Sequence, residues 1–176
     1  MDTKRYARFE RPGHAVTGDR ADRNRQVGYE WAHSVVDDHS RLAHSELHPD
    51  ECAETVVGFL ERVLADYRAR GIKVKRLITD NHFSYTKSVA LRELLAREGI
   101  RHITTQPYRP QTNGKVERFQ QTMAREWGYG LAYASSDARA KAMPHWLRYY
   151  NERRPHSGIG DRPPISRVHD LSGQDT

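Results

Sequence analysis

The sequence predicts an α/β fold. Three observations point to it: two adjacent runs of period-two alternation near the start, one-sided helical stripes after them, and short apolar runs between the stripes. The resulting order is strand, hairpin, helix, strand, helix, strand, which builds a sheet covered by helices.

Each element has its own justification. The first ten residues read as a short extended start. RPGHAVTGDRADRNRQ (11–26) carries two Gly, a Pro and no periodic apolar face. It is read, with residue 27, as a polar loop inserted after the first strand, and loops of that length are usually functional or disordered. GYEWAHSVVDDHS (28–40) alternates, with Tyr29, Trp31 and Val35 on one side, and RLAHSEL (41–47) repeats the pattern. Asp37, Asp38, His39 and Ser40 form turns readily, so the two runs predict an antiparallel hairpin. Pro49 and Asp50 open a helix with Asp50 as N-cap. Its stripe is Val56, Leu60, Val63, Leu64 and Tyr67, and Gly71 stops it. KVKRLIT (73–79) is a strand of a covered sheet. Residues 88–98 form a helix with Leu91, Leu94 and Leu95 inward and Gly99 after it, and residues 100–104 form a short strand. After the loop PYRPQTNG, residues 115–127 form a helix striped by Val116, Phe119, Met123 and Trp127. Residues 135–142 start another helix. Pro144 is placed at N1 of a last one, with Trp146, Leu147 and Tyr150 inward. From His156 the tail has few apolar residues and reads as loosely attached. Trp127, Trp146, Tyr149 and Tyr150 are read as packing residues rather than base-stacking platforms.

Composition narrows the function classes. The 176 residues are 36% hydrophobic and 30% charged, so the core is economical and the surface ionic. Lys and Arg total 29 against 23 Asp and Glu, a net charge of +6, which suggests an anionic partner such as nucleic acid. No apolar run approaches a membrane span, and MDTKRYARFERPG lacks the apolar centre of a secretory signal. Cys52 is the only cysteine. That excludes an internal disulfide and a multi-cysteine zinc site, and it fits a reducing, cytoplasmic setting. His44 and His48, four apart at a strand end, are not read as a zinc pair.

Two acids stand out. Asp80 follows the apolar strand directly, at the sheet edge where α/β folds place reactive groups. Its alternative reading is a turn residue of an Asp-Asn pair. Glu117 sits early in the third long helix, at the edge of the buried stripe, and its alternative reading is a solvated acid favoured by the helix N-terminus. The 36 residues between them supply a helix, a strand and a loop, a return path to one sheet edge. Paired carboxylates repel, a divalent cation relieves the cost, and hard oxygen donors suit Mg²⁺ or Mn²⁺. Lys115, Arg118 and Arg125 beside Glu117 suggest a phosphate-bearing substrate, a footprint that Arg101, Arg109, Arg148, Arg153 and Arg154 extend.

TDN at 79–81 and PYRPQTNGKVERF at 107–119 resemble the integrase-type catalytic core of bacterial insertion-sequence DDE transposases, in the retroviral integrase superfamily. YNERRPHSGIGDRPP (150–164) and GYEWAHSVVDDHSRLAHSE (28–46) resemble the family's closing segment and central hairpin. The resemblance implies an RNase H-like fold, a mixed five-stranded sheet with helices on both faces. It implies a core over 1–154 and a C-terminal extension over 155–176. It further implies metal-dependent DNA strand cleavage and strand transfer, with two Mg²⁺ or Mn²⁺ ions held by three carboxylates. Asp80 and Glu117 match two of these. Asp2, in MDTKRYARFERPGH, resembles the first, with Asp37 and then Asp38 as weaker alternatives. Lys115, Arg118, Arg125, Arg109 and Asn113 are the implied DNA contacts, and the partners are transposon-end and target DNA and further copies of the chain. The chain departs from the pattern at His82, where a small residue is usual, so that the imidazole either crowds the site or bonds a phosphate. It also starts one residue before the presumed first acid, which implies a form shortened at its N-terminus, without the family's helix-turn-helix. Two other readings remain open: an inactive remnant that only binds DNA, and a nuclease of the same fold acting on RNA–DNA hybrids.

Overall fold

The computed structural model describes residues 1–13, 17–18, 27–105 and 113–170. Most of the polar loop, the segment with Arg109 and PYRPQT, and residues 171–176 lie outside the described residues. Strand β1 (Asp2–Ala7) pairs antiparallel with β2 (Tyr29–Val36), Asp2 opposite Ser34 and Ala7 opposite Tyr29. β2 in turn pairs antiparallel with β3 (Ala43–His48), Trp31 opposite His48 and Val36 opposite Ala43. Separately, β4 (Arg76–Thr79) and β5 (Arg101–Thr104) form a parallel pair in register from Arg76–Arg101 to Thr79–Thr104.

The strands therefore form a three-stranded and a two-stranded sheet, not the single mixed five-stranded sheet expected. The two approach where the Met1 amino group donates to the Ile78 carbonyl at 2.7 Å. β4 has only four residues, and among the described residues backbone pairing between β1 and β4 does not extend beyond that bond.

Both faces of the three-stranded sheet are covered, because side chains alternate along β2. Val35 joins a core with α1 (Ala53–Ala69), β4 and α3 (Val89–Arg97), through Val56, Phe59, Leu60, Val63, Leu77, Leu91 and Leu94. Ala32, with Tyr6 and Ala43, joins a second core with α4 (Gly114–Met123) and α5 (Ser136–Glu152), through Phe119, Met123, Trp127, Met143 and Tyr150. A short helix, α2 (Phe83–Thr86), precedes α3, and α6 (Pro164–Asp170) closes the described chain.

The hairpin turn is built as expected: Asp37 Oδ2 accepts from the Ser40 backbone N–H and hydroxyl, both at 2.7 Å. The predicted stripe of α1 is buried throughout, and Gly71 ends the helix at φ 77°, a left-handed conformation that suits glycine. The α1 cap differs from expectation. Cys52, not Asp50, is the N-cap, while Asp50 Oδ1 accepts from Cys52 N at 3.0 Å and Thr55 Oγ1 at 2.6 Å. Pro144 does not open a helix. It lies inside the 17-residue α5, whose start is capped by Ser135 accepting from Ala138 N at 3.2 Å. Its ring is on the exposed side, where loss of one backbone bond disturbs packing least. The tail is not loosely attached: Ile159 and Val168 are buried, Val168 within the first core, and His156 bridges to Arg162.

Candidate active site

Three elements carry the predicted acids towards one place. Asp2 begins β1, Asp80 follows the last residue of β4, and Glu117 lies in the first turn of α4. The parallel β4–β5 pair and the link from Met1 to Ile78 bring the β4 end beside the start of β1. The cross-strand partner of Asp2 is Ser34, fully buried and within 3.0 Å of Ser45 Oγ. A small hydroxyl pair there keeps bulk away from the Asp2 side of the sheet.

Asp2 senses the charges of the other two acids. Asp2 is half-buried, and its carboxyl is raised to about 6. Burial is the main cause. The Thr3 amide, donating to Oδ1 at 2.8 Å, opposes it, and the negative charges of Asp80 and then Glu117 add to it. The Met1 amino group senses the same acids: burial lowers it to about 6 against the pull of Asp2 and Asp80.

Asp80 is oriented by its own turn, its Oδ1 accepting from His82 N at 3.0 Å. The Asn81 amide donates to the Thr105 carbonyl at 2.9 Å, tying the β4 end to the end of β5. The His82 imidazole is exposed and held sideways, 3.0 Å from Ser84 Oγ and 3.8 Å from Glu51. Glu117 is exposed at the helix start, where the unpaired N–H groups favour a carboxylate.

The donor set, three carboxylates repelling one another, is of the class that takes a hard divalent cation. Among the described residues, no three His, Cys, Asp or Glu side chains are placed to hold an ion as they stand. The alternatives for the first acid are engaged elsewhere: Asp37 caps the hairpin turn and Asp38 pairs with Lys115. His44 and His48 flank Glu46 on one face of β3, and Arg62 completes an ion-pair cluster there, with Nη2 2.6 Å from Glu46.

The predicted DNA contacts fall in different settings. Arg118 and Arg125 are exposed on the α4 side and form no ion pair among the described residues. Lys115 is tied to Asp38. Asn113 is 5% exposed at the α4 N-cap, and Arg109 lies outside the described residues. Sequence reasoning missed two neighbours of the acids. Tyr85 is buried, and its hydroxyl is pushed far up by burial and then by Asp2 and Asp80. Glu51 accepts from Thr3 Oγ1 at 3.0 Å, one residue from Asp2. An aromatic on a four-residue helix and an acid before α1 carry no periodic signal by which they could have been found.

An integrase core domain model matches residues 10–110, and a second model of the same description matches residues 98–164. Among curated relatives, the protein named "Putative integrase ORF3" of Spiroplasma virus SpV1-C74 is 21% identical over 154 residues, covering 81% of this chain and 42% of its own length. An uncharacterized 39.2 kDa protein of insertion element IS476 from Xanthomonas euvesicatoria is 33% identical over 91 residues, covering 49% of this chain and 25% of its own. The chain thus spans less than half the length of these relatives. Among solved structures, the catalytic core domain of BIV integrase superposes with a TM-score of 0.61 at 22% identity, over 82% of this chain and 87% of that one. The integrase catalytic core domain of HTLV-2, solved with magnesium in a trimeric form, gives 0.54 at 17%, over 81% and 86%. A chain of the simian T-cell lymphotropic virus intasome gives 0.64 at 18%, over 96% and 54%. At these identities the likeness is one of fold, the RNase H-like α/β fold of retroviral integrase cores.

Proposed function

Because this chain belongs to the integrase core domain family, we propose that it is the catalytic core of a DDE-type transposase or integrase that cleaves DNA strands and transfers them. The observation that supports the reading is the bond from the Met1 amino group to the Ile78 carbonyl, which joins the start of β1, next to Asp2, to the end of β4, next to Asp80. Asp2, Asp80 and Glu117 would hold Mg²⁺ or Mn²⁺. Bound there, two such ions supply the charge that activates an attacking hydroxyl and stabilises the oxygen that leaves phosphorus.

The chain's own residues do the rest. The Thr3 and His82 amides hold the Asp2 and Asp80 carboxylates in fixed orientations. Arg118 and Arg125 bind the DNA backbone and set its register without reading bases. Buried Tyr85 belongs to the first core, and its hydroxyl senses the charges of Asp2 and Asp80. Further copies of the chain complete the working assembly, and it acts in the cytoplasm at the nucleoid. Among the described residues, no helix is long and apolar enough to cross a membrane.

Glu117→Gln is the test. It removes one ligand charge at an exposed position, so the fold is expected to survive with an unchanged far-UV spectrum. Nicking of labelled DNA in Mg²⁺ is expected to fall at least about a hundredfold, as for loss of a metal ligand or its support. A Glu117→Gln variant that nicks as well as the parent would falsify the assignment. A second reading, a chain that binds DNA without turnover, is favoured by the acids not yet being gathered for an ion. It is the outcome in which the parent binds DNA but shows no difference between Mg²⁺ and EDTA.

A further inference from the structure

We infer that the cleft between α4, the β2–β3 turn and the segment after α5 is a second phosphate site, which takes a backbone phosphate of bound DNA away from the three acids. The inference rests on DNA being the substrate. The cleft has a volume of about 720 Å³, and Arg41, Arg118, Arg125, Arg154 and His156 line it. Its α4 side is formed by residues 115, 118 and 122, between about 100° and 160° round the helix from Glu117 at ~100° per residue, and Arg125 follows just beyond the end of α4.

Charge on the lining is unbalanced. Glu126 neutralises Arg154 through a two-pronged contact, Nε to Oε1 at 3.0 Å and Nη2 to Oε1 at 2.8 Å, with Oε2 3.2 Å from Nε. Lys115 is taken by Asp38. Arg41, Arg118 and Arg125 then face Asp161 as the one remaining acid of the lining. The surplus of positive charge suits a phosphodiester.

Two nitrogens of the lining side chains are unmet. Arg41 Nη1 and His156 Nε2 are buried, and neither has a hydrogen-bond partner among the described residues. A buried polar group left unpaired forfeits its hydration, so each side chain gains by turning that nitrogen towards an oxyanion in the cleft. Arg41 is also one of two described non-glycine residues with a left-handed backbone, at φ 69°. Strain of that kind persists where the surroundings enforce it, here the turn capped by Asp37. The His156 ring stands edge-on to Tyr150 at 4.6 Å, so the aromatic wall fixes its direction. Arg118 and Arg125, the latter beyond the end of α4, are seven residues apart, so the two cations stand at separate points of the cleft wall. A strand fits this spacing better than an isolated anion does.

Binding in EDTA separates this inference from the strand-transfer reading, because nicking is scored separately in Mg²⁺. The full chain is titrated into fluorescent duplex DNA over a salt series, as parent, Arg41→Gln and Arg118→Gln. The imidazole ¹⁵N signals of His156 are followed with the same DNA and with inorganic phosphate. Both variants are expected to bind several-fold more weakly, each with a log–log salt slope shallower by about one. DNA is expected to shift His156 Nε2. Folded variants with the parent's affinity and slope would overturn the site. If Arg41→Gln proves unfolded, the His156 signal and Arg118→Gln decide. A His156 shift with phosphate but none with DNA would show a site for free anions and overturn the assignment to DNA. DNA binding that meets every expectation without Mg²⁺-dependent nicking would leave the cleft standing and sink the catalytic reading alone.

Discussion

At Gly128 there is no room for a side chain. A Cβ there would lie 2.6 Å from Tyr6 Cε1, on a ring that is itself fully buried. At Gly130 a Cβ would meet the Arg125 carbonyl oxygen at 2.3 Å, a backbone atom with nowhere to go. Gly114, first in α4, has nothing within 4 Å. Three alanine substitutions should therefore separate in urea unfolding. Gly128→Ala is expected to cost about 1–3 kcal/mol, as overpacking does, and Gly130→Ala more. Gly114→Ala should be neutral or gain up to about 1 kcal/mol from reduced freedom of the unfolded chain. Parent-like stability of Gly128→Ala would mean that Tyr6 does not lie against this glycine. The sequence does not show either clash, because a clash depends on what the fold brings opposite.

On the scale of elements, α5 is fastened to the sheet by one buried cation. Arg139 is 1% exposed, and its Nη2 donates to the Ala7 carbonyl at 2.7 Å and to Glu30 at 2.9 Å. Its guanidinium lies 5.1 Å from the Phe9 ring centre and 5.3 Å from that of Tyr6. The Arg139 carbonyl accepts from the Trp127 indole at 2.9 Å. Trp127 reaches it because α4 continues into a π-turn over Ala124–Gly128, closed by Tyr129 N donating to the Ala124 carbonyl at 2.8 Å. Breaking a buried pair from one side leaves a charge without compensation. Arg139→Met should therefore cost about 3–5 kcal/mol, and adding Glu30→Leu should restore part of it. The check is a double-mutant cycle by denaturant melts, and additive costs would contradict the coupling. A single Arg in a polar stretch gives no burial signal, so neither this anchor nor the uninterrupted α5 across Pro144 was legible in the sequence.

On the scale of the whole molecule, acid should loosen the fold through its histidines. Burial lowers the pKa of His33, and the same cause leads at His102 and His156. His33 is fully buried, with Nε2 2.8 Å from the Asp50 carbonyl oxygen. Between its folded value and about 6.5, the unfolded chain binds more protons than the folded one, so stability falls as pH drops below about 6.5. The limit is about 1.4 kcal/mol per pH unit for each group. His33→Gln removes one such group. The stability gap between parent and variant is expected to narrow from pH 7 to pH 5, and a constant gap would refute a neutral, buried His33.

Much of the fold was readable in advance, for local reasons. The alternation of 28–36 set β2, the stripe Val56–Tyr67 set α1, and Gly71 and Gly99 marked two helix ends at φ 77° and 65°. These are properties of neighbours in the chain, where a side chain's period decides which face is buried. TDN, GKVER and the opening Asp pointed to Asp80, Glu117 and Asp2 through resemblance to the integrase-type core, not through any period. The sequence could not decide whether five strands make one sheet or two, because that depends on how far β1 and β4 run side by side. Nor could it show that α5 runs through Pro144, that Val168 is core, or that Arg41 and His156 share a cleft. Those depend on long-range packing and on burial of charge, which no window of sequence contains.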